Sequence, residues 1–127
     1  GVLVPIESPT DQLKELVNFY RKYLSNTAEI GGCPILNIGV DANHQNSELL
    51  QRVQEVIEKL QYYIQRMIES GQQAGEIRED VDAAFYSRRI YTFIQGAVFM
   101  TITMNNEGYI NEVLDHVDEL IANELVK

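Results

Sequence analysis

The chain has 127 residues, 45% of them hydrophobic and 23% charged, which suits one domain with a real core and not a disordered segment. Nineteen acidic residues against ten basic ones leave a net charge of −9, a surface that repels a phosphate backbone and argues against nucleic-acid binding by these residues themselves. The single cysteine excludes an internal disulfide and a cysteine-based zinc site, and fits a reduced, cytoplasmic setting.

Ser8-Pro9-Thr10-Asp11 reads as a helix start, with Ser8 as cap, Pro9 at the first helical position and Asp11 where a capping-box acid belongs. Leu13, Leu16, Val17, Tyr20 and Leu24 follow at helical spacing and form one apolar stripe, which Thr27 to Gly32 breaks. Pro34 opens a short second helix carrying Ile35, Leu36, Ile38 and Val40, and residues 41–46 have the composition of a connection. Ser47 starts a long third helix, with Leu49/Leu50, Val53, Val56/Ile57, Leu60, Tyr63/Ile64 and Met67/Ile68 as its stripe and Gly71 and Gly75 at its end.

Asp80 or Asp82 begins a fourth helix, from about Ala83 to Asn105. Ile90 to Asn106 carries no charge but falls short of the ~20 apolar residues that span a bilayer, so it reads as a buried helix and no membrane is expected. A helix apolar on nearly all sides must be covered on more than one face. Gly96 inside it costs about 1 kcal/mol relative to Ala, which points to close approach, at a subunit seam or against a ligand. Asn105 to Gly108 is a turn, and the last helix runs from Tyr109 to near Leu125, with Glu112, Asp115, Asp118, Glu119 and Glu124 on its solvated face. No strand alternation occurs, so the expected fold is all-α with five helices.

Two segments carry a likeness to a known family. Gly31-Gly32-Cys33-Pro34-Ile35-Leu36-Asn37 resembles the Gly-Cys-Pro-Leu-x-Asn stretch in the C-terminal domains of TetR-type regulators. Gly71-Gln72-Gln73-Ala74-Gly75-Glu76-Ile77-Arg78 with Val81-Asp82 resembles that family's joint between two long helices, and Ile94-Gln95-Gly96-Ala97 its Ile-x-Gly-Ala on the next. The likeness covers roughly Pro9 to Leu125.

The resemblance implies a bacterial, cytoplasmic, homodimeric transcriptional regulator of the repressor habit, released from DNA by a small hydrophobic or aromatic effector. It implies that the last two long helices form a four-helix bundle with a second subunit. The family's N-terminal helix-turn-helix has no counterpart here. Residues 1–8 are therefore expected to end a linker from that missing domain, and 9–127 to be the ligand-binding and dimerisation domain. Operator DNA would be reached only through the absent part.

For the effector, the resemblance and the residue types point to Tyr20, Cys33, Asn37, Tyr63, Met67, Phe93, Met100 and Thr103, an apolar and aromatic set with a few polar groups. For the seam they point to Ile94, Val98, Ile102, Val113, Val117, Leu120 and Ile121. Each of these is also what a plain helical core contains, and which face of helix 83–105 lines the pocket stays open.

Cys33, near a helix start, reads as a small packed residue or as a reactive thiol. Glu112 and His116 share one helix turn but lack the partners of a metal site, so neither metal nor cofactor is expected. Tyr86, Arg88 and Arg89 are candidates to face the missing domain or the partner, which the sequence leaves open. No nucleophile–base pair, phosphate loop or metal set marks an enzyme. The competing reading is a helical oligomerisation or adaptor module without a ligand pocket.

Overall fold

The computed structural model describes residues 8–24 and 47–127. They hold four of the five expected helices: α1 (Pro9–Leu24), α2 (Ser47–Gln73), α3 (Ala83–Met104) and α4 (Gly108–Leu120), the last running into a π-helical turn at Ile121–Leu125. The short helix expected from Pro34 lies outside the described residues, together with Cys33, Asn37 and His44.

Local chemistry sets the helix ends. The Asp11 N–H donates to Ser8 Oγ at 3.1 Å, so α1 is capped as its sequence requires. At α3, of the two candidate acids, Asp82 is the cap, its Oδ1 accepting from the Phe85 N–H at 3.1 Å. Helix α2 closes on a left-handed glycine: Gly75 has φ +78°, the Glu76 N–H reaches Gly71 O at 2.9 Å and the Gly75 N–H reaches Gln72 O at 3.1 Å. These two bonds satisfy carbonyls that a helix end leaves open. Helix α3 ends the same way, with Asn105 at φ 49° and the Asn106 N–H on Thr101 O at 3.0 Å.

Helix α2 packs on α1 and α3, and α4 packs on α3 and α1. The core between them comes from one stripe per helix: Leu13 and Val17 of α1, Ile64 and Ile68 of α2, Ile90, Ile94 and Val98 of α3, and Ile110, Leu114 and Val117 of α4. The chain's end is pinned to the α2–α3 joint. Ile77 and Val126 form an antiparallel bridge, the Arg78 N–H donates to Leu125 O at 2.9 Å, and the Lys127 N–H to Glu76 O at 3.1 Å. Ile77 and Leu125 are fully buried beneath this pairing. Among the described residues no helix is long and apolar enough to cross a membrane.

Candidate functional site

Helix α3 is apolar on nearly all sides, yet its own chain covers only part of it. Ile90, Tyr91, Ile94, Ala97, Val98 and Thr101 are buried. The opposite side is open: Phe85, Arg89, Thr92, Gly96, Phe99 and Thr103 are all exposed. Their spacing alternates between four residues and three, which keeps one straight row along a helix. Phe85 is 49% exposed and Phe99 48%, and the Arg89 guanidinium lies 4.6 Å above the Phe85 ring centre.

Beside this row, α3 and α4 leave a solvent-open groove of about 310 Å³, lined by Thr92, Phe93, Gly96, Ala97 and Met100 of α3 and by Tyr109 and Val113 of α4. The short turn between the helices forces them antiparallel, and Thr101 ties them, its Oγ accepting the Ile110 N–H at 3.0 Å. The groove offers an apolar surface, with the hydroxyl-bearing Thr92 and Tyr109 as the polar residues of its lining. Gly96, exposed, is one of its lining residues, and a Cβ built there would meet nothing within 4 Å among the described residues. Among the described residues, nothing in this chain therefore requires glycine at that position. At the groove's margin the His116 ring tilts against Phe93, with centroids 5.6 Å apart.

Of the expected effector contacts, the structure brings Phe93 and Met100 together in the groove and sets Thr103 on the exposed row. Cys33 and Asn37 lie outside the described residues, and the remaining three are elsewhere. Tyr20 on α1 and Met67 on α2 are half-buried against the core, and Tyr63 is 55% exposed. Of the expected seam residues, Ile94, Val98, Val117, Leu120 and Ile121 are buried within this chain's own core, and Ile102 packs half-buried against it. Val113, also half-buried, alone of that set lines the groove.

The sequence gives no sign of a further tie. Arg21, in the last turn of α1, donates from Nη2 to Asp115 Oδ1 at 2.7 Å and to Asp118 Oδ2 at 3.0 Å. The hydrogen bond to Asp115 raises the guanidinium above its ordinary pKa, the Asp118 bond adding to it against some desolvation. Read alone, those two acids look like part of a solvated face, and 94 residues separate Arg21 from Asp115. Tyr86 also ties α3 to the π-helical turn, its hydroxyl donating to Glu124 Oε1 at 3.0 Å. Among the described residues no group of acids, histidines or cysteines could hold a metal ion.

The sequence matches the family described as Tetracyclin repressor-like, C-terminal domain, over residues 9–117. The fold is similar to a TetR transcriptional regulator from Chloroflexus aurantiacus, with a TM-score of 0.88 and 26% identity over 98% of this chain and 63% of that one. It is also similar to a TetR-family regulator from Cytophaga hutchinsonii, with a TM-score of 0.67 and 25% identity over 91% of this chain and 66% of that one. The chain thus spans somewhat under two thirds of each. No curated protein matches it.

Proposed function

Because the chain belongs to the TetR family of transcriptional regulators, as a C-terminal domain of that family, we propose that it is the effector-binding and dimerisation part of a repressor. The observation that carries this reading is the open apolar groove with the exposed Gly96 in its lining. A glycine in mid-helix costs about 1 kcal/mol against alanine, and no neighbour among the described residues accounts for it. A second copy packing its own α3 and α4 against the row and groove does account for it, since small residues let helices approach closely. The seam is then formed by Thr92, Phe93, Gly96, Phe99, Met100, Tyr109 and Val113, together with Ile102 at its edge. Ile94, Val98, Val117, Leu120 and Ile121 support it from inside each subunit.

We assign the effector site to α1 and α2, which pack together and carry the half-buried Tyr20 and Met67; Cys33 and Asn37, outside the described residues, are the further expected contacts. A small apolar or aromatic molecule bound there favours one spacing of the two subunits over another. DNA half-sites at fixed separation, contacted by a helix-turn-helix domain preceding this one, are then fitted or lost. The effector must bind the two arrangements with different affinity, or it shifts nothing.

A thermal-shift panel of small apolar and aromatic compounds tests the effector half of this reading. A ligand at about 100 times its Kd stabilises the folded chain by roughly 2.7 kcal/mol, a readily measured rise in Tm. The groove alone also fits an oligomerisation module. A dimer that responds to no member of a broad panel supports that second reading instead.

A further inference from the structure

The tie between Arg21 and α4 has a position that suits it to more than stability. Asp115 and Asp118 are three residues apart, on successive turns of one flank of α4, and the same Nη2 holds both. Gripping two turns at once fixes the helix in rotation and in height. Val113 is two residues from Asp115, and residues two apart on a helix point to opposite sides. So the clamp grips one flank of α4 while Tyr109 and Val113 on the other form the groove wall. The ion pairs Glu48–Arg52 and Arg66–Glu69, by contrast, join residues within α2. Arg21 also directly follows Tyr20, the half-buried aromatic of α1.

We propose that Arg21 is a positioning residue that couples α1 to the α4 wall of the groove, so that displacing α1 at Tyr20 changes the width of the surface that receives the second subunit. The proposal rests on the reading of α1 as the effector side and of the groove as the seam, and it names the regulation of that seam. A molecule wedged against Tyr20 moves the α1 backbone. Arg21 follows by covalent connection and carries Asp115 and Asp118 with it. Helix α4 is anchored to α3 at one end by Thr101 and Ile110, and its π-helical continuation at the other by Tyr86 and Glu124. A pull midway between these anchors rolls it against α3 and alters the groove.

The test is methyl NMR of the chain, reading Met100, Val113 and Ala97 in the groove, for wild type, Arg21→Gln, Arg21→Lys and the control Arg52→Gln. Coupling predicts that Arg21→Gln moves all three groove signals by several linewidths, that Arg21→Lys restores them in part, and that Arg52→Gln leaves them in place. Groove signals unchanged in Arg21→Gln, with only Val17 and Leu114 at the α1–α4 contact shifted, overturn the proposal. If Arg21→Gln does not fold, a salt titration of the wild type decides. Screening weakens a partly exposed ion pair, so the groove methyls should move with salt while Ile64 in the core stays put, and static groove signals overturn it. The readout needs no second subunit. A monomeric mass on the same sample would count against the seam, and the methyl shifts would still decide the coupling.

Discussion

Thr101 and Ile110 share a hydrogen bond across the α3–α4 turn: the Thr101 hydroxyl oxygen accepts the Ile110 N–H at 3.0 Å, and both residues are buried. The Ile110 N–H lies in the first turn of α4, where a helix has no partner of its own to offer. Thr101→Val keeps the shape and removes the acceptor, so it should cost about 1–3 kcal/mol, the penalty of a buried polar group left unpaired. Urea denaturation measures the loss. Thr101→Ser should recover most of it.

The α2–α3 joint predicts a second loss. A Cβ on Gly71 would collide with the Ile77 side chain, with Ile77 Cγ1 at 2.8 Å, and Ile77 is fully buried, so the core around it would have to shift. Alanine favours a helix over glycine by about 1 kcal/mol, but overpacking a closed core costs about 1–3 kcal/mol. Gly71→Ala should therefore destabilise the chain, as a lower urea midpoint at unchanged slope.

Gly96 should behave in the opposite way. Its added Cβ meets nothing among the described residues, so Gly96→Ala should stabilise the separated subunit by up to about 1 kcal/mol. At the seam the same methyl holds two helices apart and should weaken association about tenfold or more, a loss of roughly 1.4 kcal/mol. Denaturation at high dilution and sedimentation at higher concentration separate the two effects. A substitution that moves both quantities in one direction would count against the seam.

Tyr86 gives a pH dependence. Its hydrogen bond to Glu124 raises the phenol above the ordinary value of 10.0, with desolvation and the Glu124 charge adding and Arg89 and Arg78 opposing. A raised folded-state pKa means that the stabilisation is complete below the unfolded value and is lost as pH climbs through the folded one. Tyr86 should thus ionise later in a spectrophotometric titration than the same tyrosine in Glu124→Gln. Equal titration in the two proteins would contradict the bond.

Much of the fold was legible because helices announce themselves by period and punctuation. Ser8, Asp82, Gly75 and Asn105 are starts and stops whose chemistry is local, and each acts within a turn of where the sequence puts it, while the long helix begins at Ser47. The candidate site was less legible. Periodicity says that Ile94, Val98 and Val117 are covered, but not by which chain, and in this fold their own subunit covers them. The open face is a mixed row in which Thr92, Gly96 and Thr103 interrupt the apolar residues, so no hydrophobic pattern marks it. The Arg21 clamp joins residues 94 and 97 positions apart, and no local signal reports a contact at that range.

The most direct test of the central claim is the solution mass of wild type and Gly96→Leu, by light scattering on a sizing column. A dimer seamed along the α3–α4 groove predicts a wild-type mass of twice 14.5 kDa and a folded Gly96→Leu chain at 14.5 kDa. A wild type that is monomeric at every concentration, or a dimer that Gly96→Leu leaves intact, would contradict it.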